Sequence, residues 1–378
     1  MNNQRAGARA ERQKTKNSVK RITRDLYLVD YQNEYYLDEL LETGVSSIAG
    51  LVAFAAKKFN LGTKTLALGD EQGAGCTTFE SFTENGDHIL ARNFDFRRAS
   101  CFVVWTHPKN GYASMGVVDN NFMLYGQNRL PVGKRNVNRV LLAPYCCVDG
   151  INEQGLAIAV LQIKAAATKQ TDKSKKDITT TAMIRGVLDT CKDTDEAVAF
   201  IKRYNMHDSL YTNYHYQIID RRGKSVVVEY INNVMHVYQR GSEQYPVTGS
   251  VYENDGLKSQ YVSNFCITSD TPGFKAIEHG RDRIGAVTKV LREKGEVLSE
   301  MDAMTLLSHV RLNYQHDRYP WRVLALWSAV YNVTAGTLKI AAHLDYSKVF
   351  TFCIDRPQEI LKTEAVENSP YEPVEWQH

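Results

Sequence analysis

The sequence predicts an α+β fold, a four-layer αββα sandwich of two antiparallel sheets packed face to face with helices on both outer faces. Three observations lead there. Runs of short, β-prone segments occur twice, each run is followed by a pair of helical segments, and the strands within a run are joined by tight-turn chemistry such as Asn85-Gly86. Helices grouped in pairs behind strand runs exclude a doubly wound parallel sheet, which needs a helix between successive strands.

The first element is basic. Residues 1–25 carry Arg5, Arg9, Arg12, Lys14, Lys16, Lys20, Arg21 and Arg24 against only Glu11 and Asp25. With no apolar core behind it this is not a secretory signal. It reads as a disordered, solvated arm, or alternatively as a segment for an anionic surface or partner. Residues 26–75 read as a helical prosegment. In "YYLDELLETGVSSIAGLVAFAAKKFNLG" apolar residues recur at helical spacing, with a break expected near Gly44 and an end at Gly62. Its apolar "IAGLVAFAA" predicts packing against the body. A Gly- and Thr-rich linker occupies 63–75.

The body, 76–355, opens with "CTTFESF", "HILARNFDF", "CFVVWTH" and "YASMGVV", then the buried-strand run "GLAIAVLQI". The first two form a hairpin around Asn85-Gly86. The polar "KAAATKQTDKSKKD" is an exposed loop. Helices follow near Thr179 and behind Asp193-Thr194. A meander comes next, "NYHYQIID", "SVVVEY" and "VMHVYQ", turning at Arg222-Gly223. After a long loop and "QYVSNFCI", helices are expected at 281–294 and 302–313, then strands in "VLALWSAVYN", "GTLKIAAHL" and "KVFTFCI". The acidic tail, 356–378, reads as peripheral.

Bulk composition narrows the function. The 378 residues suffice for a large core, and 43% hydrophobic with 24% charged residues describes an ordinary soluble protein. A net charge of +3 argues against a nucleic-acid partner, and no apolar run approaches the roughly 20 residues of a membrane span. Seven cysteines with no C-x-x-C spacing fit a reduced, cytoplasmic protein. No phosphate-binding glycine loop and no metal-ligand spacing among the ten histidines is present, so neither cofactor nor metal is expected.

Cys76 stands directly behind "GAG". Arg92 follows sixteen residues later and Asp95 nineteen, so a hairpin of 76–82 with 88–94 returns both to the start of the first strand. A cation beside a thiol favours thiolate and is expected to lower its pKa, and a carboxylate holds or orients an ammonium. Cleavage of Gly75–Cys76 would supply the missing base, an α-amine of pKa about 7.7–8.0 on the nucleophile's own residue. On these residues alone, a structural hairpin cysteine and a processed nucleophile both stand.

"CTTF" followed by "RNFDF" resembles the choloylglycine hydrolase and acid ceramidase-like family of N-terminal-nucleophile hydrolases, which includes bile salt hydrolases, penicillin V acylases and N-acylethanolamine acid amidase. The likeness continues in "DGINEQGLAIAVLQ", "NYHYQIIDRRGKSVVVEY", "VSNF", "GRDR" and "LWSAVYN", covering residues 76–350. It implies Cys76 as nucleophile, its freed amine as base, and Arg92 and Asp95 as partners of thiol and amine. Asn264 resembles the oxyanion asparagine and Arg283 the later active-site arginine, with Arg281 as its rival. Gln162 stands where bile salt hydrolases carry a second oxyanion asparagine, which turns the expectation away from bile salts.

The function implied is hydrolysis of a linear, non-peptide C–N amide through an acyl-thioester on Cys76. The substrate is a small N-acyl amine or N-acyl amino acid. The partner is the chain's own segment 1–75 after cleavage, and the resemblance also implies homo-oligomers. Two alternatives remain at this point, an acyltransferase using the same thioester and a non-processing binding protein on the same fold.

Overall fold

The computed structural model describes residues 2–61, 75–123, 137–163, 165–209, 212–244, 255–268, 280–315, 322–367 and 371. Most of the expected linker 63–75, part of the loop before Asn264 and the end of the acidic tail lie outside these.

The leader forms α1 (Asn2–Asn17), β1 (Lys20–Arg21), β2 (Leu26–Tyr31), α2 (Leu37–Thr43) and α3 (Ile48–Phe59). The body opens with β3 (Gly75–Phe82), β4 (His88–Arg97), β5 (Cys101–Thr106) and β6 (Ser114–Asp119). A 3-10 helical run over Val137–Cys146 leads into β7 (Cys147–Asn152) and β8 (Leu156–Ile163). Next come β9 (Lys176–Thr179), α4 (Thr180–Thr190), α5 (Thr194–Lys202) and β10 (Tyr204–His207). The meander is β11 (Asn213–Asp220), β12 (Ser225–Ile231) and β13 (Val234–Tyr238), followed by a short β14 (Tyr261–Val262). Helices α6 (Arg281–Glu293) and α7 (Glu300–His309) precede β15 (Asn313–Gln315), β16 (Arg322–Asn332), β17 (Thr337–Ala342), β18 (Val349–Cys353) and β19 (Lys362–Glu364).

Nine strands make the first sheet, in the order β1-β2-β5-β6-β7-β8-β11-β12-β13. The second runs β14-β3-β4-β16-β17-β18-β19, with β15 beside β16. Helices α4 and α5 pack on the first sheet through β7, β8, β11 and β12, while α6 and α7 pack on the second through β3, β4 and β16. Strands β3 and β8 meet between the sheets. This is the αββα sandwich that the strand and helix runs predict. Runs such as "LAIAVLQI" and "VLALWSAVY" lack polar alternation because both faces of each sheet are covered.

Local signals act as the sequence suggests. Gly44 ends α2 at φ 77, Asp193 caps α5 by accepting from the Glu196 N–H, and Gly223 turns β11 into β12 at φ 79. Ser299 and Asp302 close a reciprocal capping box at the start of α7.

The leader and the tail depart from expectation. The basic arm is not disordered: residues 2–17 are helical, with Arg9 and Lys14 exposed and Thr15 buried. Thr15 anchors the helix, donating to Asn33 Oδ1 at 2.9 Å and accepting from the Gln32 N–H at 2.9 Å. Nor is the prosegment helical throughout. "LYLVDY" is almost wholly buried and pairs parallel with β5, the two registering from Leu26 opposite Cys101 to Tyr31 opposite Thr106. Six residues, five of them Leu, Tyr or Val, have no helical stripe, and β5 offers them an open edge. The tail contributes β19 at the edge of the second sheet, where Glu364 pairs with Lys339.

Tyr35, just before α2, ties the leader to α4. Its hydroxyl donates to Asp189 Oδ2 at 2.6 Å, and Asp189 pairs with Arg185 at 2.5 Å, all three buried. Removing the hydroxyl leaves a buried carboxylate oxygen short of a donor, which costs about 1–3 kcal/mol. Tyr35→Phe is therefore expected to lower the urea midpoint with little change in circular dichroism. An unchanged midpoint would show that Asp189 is satisfied without the leader.

Candidate active site

Strand alternation divides the work around Cys76. In the β3–β4 hairpin Cys76 lies opposite Phe94 and Thr78 opposite Arg92, so these four share one face. Gly75 lies opposite Asp95 and Thr77 opposite Asn93, on the other face. The Cys76 face is turned into the space between the sheets. The Asp95 face is turned toward α6 and α7, where Asn93 Nδ2 donates to the Leu307 carbonyl at 2.8 Å.

On the inner face the thiol meets Arg92, whose Nη2 lies 3.6 Å from Sγ. The guanidinium is wholly buried and reaches across to the first sheet. It pairs with Asp149 at 2.5 Å and donates to the carbonyls of Val148 and Val160 at 3.3 and 3.1 Å. Its apolar plane lies over Phe94, 4.7 Å from the ring centroid. Asp149 is held in turn by Trp327 Nε1 at 3.0 Å and by the Tyr331 hydroxyl at 2.7 Å. The β6–β7 register slips at Val148, and the β4–β16 register slips between Ala325 and Trp327. Both irregularities adjoin this ion pair, as bulges beside functional sites often do.

On the backbone side, the Cys76 N–H donates to Asn264 Oδ1 at 2.7 Å, and the Asn264 Nδ2 donates to the Gln162 carbonyl at 2.7 Å. Arg283 clamps the next peptide, Cys76–Thr77: Nη1 reaches the Cys76 carbonyl at 2.7 Å and Thr77 Oγ1 at 2.8 Å, and Nη2 reaches Asn264 Oδ1 at 2.7 Å. Ser263 Oγ also donates to the Cys76 carbonyl at 2.7 Å. Gly280 makes this approach possible. At φ +86, a Cβ there would fall 2.1 Å from Ser263 Oγ and 2.6 Å from Arg283 Nη2. Arg283 is buried and Arg281 exposed, which decides between the two arginines of "GRDR".

Asp95 lies against the Gly75–Cys76 peptide. It is wholly buried, with Leu312 N at 3.3 Å from Oδ1 and Arg283 Nη1 at 3.6 Å from Oδ2. Oδ2 has no hydrogen-bond partner among the described residues. Burial raises its pKa to about 6 against the pull of Arg283. Gly75 is closely covered: a Cβ on it would fall 2.1 Å from Leu312 Cδ1 and 3.4 Å from Asp95 Cβ.

The expected sign at the thiol is corrected. Burial raises the Cys76 pKa above its ordinary value, although Arg92 and Arg283 pull it down. The cations limit the cost of ionisation without making a standing thiolate, so the thiol needs a base. Gln162 is also placed differently from a simple oxyanion donor. Its side-chain Nε2 donates to Thr212 Oγ1 at 2.8 Å, while its carbonyl receives Asn264.

Cys76 opens onto an apolar cavity of about 890 Å³, counting its mouth. Phe94, Phe122, Leu142 and Val160 line it on the body side, and Gln162 and Thr212 give it a polar edge. Among the described residues no group of His, Cys, Asp and Glu converges as a metal site would. Sequence reasoning missed Asp149 and Ser263 as residues of the site. Asp149 lies in "DGIN" and its partners Trp327 and Tyr331 in "LWSAVYN", so the motif stretches held the signal.

Residues 76–254 match the model of the linear amide C–N hydrolases, choloylglycine hydrolase family, and the match opens at Cys76. Over residues 76–254 the chain matches that family. It is accordingly an enzyme of C–N amide hydrolysis. A comparison with curated protein sequences gives no match. Two solved structures of conjugated bile acid hydrolase from Clostridium perfringens are similar at 15% and 16% identity, with TM-scores of 0.52 and 0.51. Each similarity covers 80% of this chain and 99% of that one. Penicillin V acylase from Agrobacterium tumefaciens is similar at 16% identity and TM-score 0.52, covering 74% of this chain and 87% of its own. At these identities the likeness establishes the shared fold.

The Arg92 effect on the thiol is measurable. Arg92→Leu alone would strand a buried Asp149, so the double variant with Asp149→Asn is the cleaner test. In it, the pH midpoint of Cys76 alkylation by iodoacetamide should rise by about one to three units. An unmoved midpoint would remove Arg92 from the thiol's electrostatics.

Proposed function

We propose that the chain cuts itself at Gly75–Cys76 and then hydrolyses N-acyl amides with an apolar acyl group, using Cys76 as nucleophile and its own α-amine as base. One observation carries this reading: Cys76 is served from two sides. Its thiol faces an apolar cavity beside Arg92, while its backbone nitrogen is held by Asn264 and its preceding residue lies against Asp95. Support comes also from the family match, which begins at this residue. The two Clostridium variants alter a cysteine second in its chain and an arginine sixteen positions later, the interval from Cys76 to Arg92.

In the uncut chain the Cys76 nitrogen is an amide and cannot act as base. Asp95, whose Oδ2 lies 3.6 Å from Arg283 and has no hydrogen-bond partner among the described residues, takes the thiol proton as sulfur attacks the Gly75 carbonyl carbon. The C–N bond breaks, the nitrogen receives that proton, and a thioester joins Gly75 to Sγ. Water then releases the Gly75 carboxylate and restores the thiol. In the processed enzyme the α-amine accepts the thiol proton while sulfur attacks the substrate carbonyl. It passes the proton to the departing amine, then activates the water that frees the acyl group. Asn264 Nδ2, whose second hydrogen is available beyond the one given to Gln162, donates to the oxyanion. Arg283 fixes Asn264 and the Cys76 carbonyl. The seven cysteines are buried thiols, which suits a reducing cytoplasm.

Three measurements check this. Intact mass of the wild type should show a chain beginning at Cys76 and a fragment 1–75, with Cys76→Ala remaining whole. A carboxylate base works above its pKa, so processing of freshly translated chain should slow as pH falls through about 6, and Asp95→Asn should process slowly at every pH. An uncut, fully active wild type would sink the proposal. For the processed enzyme, Asn264→Ala should lose about 10²–10³ in kcat with KM little changed. A raised KM with kcat unchanged would instead mark Asn264 as a ground-state contact.

A further inference from the structure

The cavity at Cys76 is not closed by the body alone. Four of its lining residues, Ile48, Leu51, Val52 and Ala55, come from α3 of the leader. Their spacing of three and four residues makes them one continuous stripe of that helix. Leu51 and Ala55 are buried, and Ile48 and Val52 are half-buried toward the open space.

The helix is firmly seated. Ser47 caps it by accepting from the Gly50 N–H. It packs on the 3-10 run Val137–Cys146, where Phe54 meets Tyr145 edge-on at 6.4 Å between centroids. The rest of the leader is fixed at several independent points. β2 lies inside the first sheet between β1 and β5, the Tyr31 hydroxyl donates to the Leu141 carbonyl at 2.9 Å, and Val45 N donates to Asp177 O at 2.9 Å. Breaking one peptide at Gly75 alters none of these contacts.

Resting on the function proposed above, we propose that α3 is the specificity wall for the acyl group. In the processed enzyme, residues 1–75 remain as a non-covalent subunit, and Leu51 and Val52 set how long or bulky an acyl chain can lie against Cys76. A side chain added to the stripe shortens the site, and one removed deepens it. Added or missing methylenes in an apolar pocket shift discrimination by about 10–200-fold.

The test uses the full chain with Val52→Phe and Leu51→Ala, each in wild-type and Cys76→Ala backgrounds. On gel filtration the wild-type fragment 1–75 should elute with the body. In the processed enzymes, Val52→Phe should lower kcat/KM for hexadecanoyl relative to octanoyl amides by about tenfold or more, and Leu51→Ala should shift the ratio the other way. In the uncut Cys76→Ala proteins, displacement of a fluorescent polyene fatty acid by octanoic and hexadecanoic acids should shift in the same directions without any catalysis. These two readings fail separately. Binding shifts with no amidase activity in wild type would sink the proposed function and leave the wall in place. Amidase activity whose chain-length ratio is the same in both variants and wild type would overturn the wall and leave the function. So would an active body that elutes without the fragment. If Val52→Phe fails to fold, Leu51→Ala alone decides, because a ratio unmoved by a deepened wall is equally fatal.

Discussion

The buried pair of Arg92 and Asp149 is the constraint around which the site is arranged. It joins β4 of one sheet to β7 of the other, with both side chains removed from water. Burying two charges costs several kcal/mol each, recovered only where geometry is good and the remaining donors and acceptors are satisfied. Here they largely are. Arg92 also reaches two carbonyls of the facing sheet, and Asp149 also receives an indole N–H and a phenol. Such a pair fixes the separation and register of the sheets at the point where Cys76 enters the gap. The bulges on either side of it are the backbone adjustments that bring Val148, Asp149 and Trp327 to the guanidinium.

Once Arg92 faces inward, strand alternation dictates the rest. Asp95, three residues on, must face outward, toward α6 and the leader's junction with the body. β4 therefore delivers a cation to the thiol and a carboxylate to the Gly75–Cys76 peptide, two tasks that would conflict if both groups shared a face. The titration of the site follows the same division: burial raises the thiol's pKa, the cations restrain the rise, and proton removal falls to a separate group.

This division explains what is legible in the sequence. The hairpin, the return of Arg92 and Asp95 to the start of its first strand, and the paired helices behind each strand run follow from period, turn residues and spacing, all local quantities. Asp149 and Ser263 lie in motif stretches that the likeness marks, in "DGIN" and "VSNF", but their roles exist only across the sheet gap and across the β3 edge, which no linear spacing shows. The leader misleads for another reason. A basic run reads as a solvated arm and the segment behind it as wholly helical, whereas "LYLVDY" is a strand only because β5 presents an edge to receive it. The thiol's sign escapes for a similar reason: the neighbouring cation is visible in sequence, and the depth of burial is not.

The embedding of the leader bears on the proposed cut at Gly75–Cys76. Gly75 is already part of β3, hydrogen-bonded into the sheet opposite Asp95, with Leu312 occupying the volume that any side chain there would need. A larger residue would have to displace Leu312 or withdraw the carbonyl from the carboxylate beside it. Glycine thus serves here through its missing side chain more than through backbone freedom, since β3 is ordinary strand. The Gly75–Cys76 peptide is held by the second sheet, while the leader's β1 and β2 are held by the first. On the proposed reading, cleavage there frees an amine at Cys76 while β2 stays paired with β5 and β3 with β4, so the cavity between the sheets is left standing.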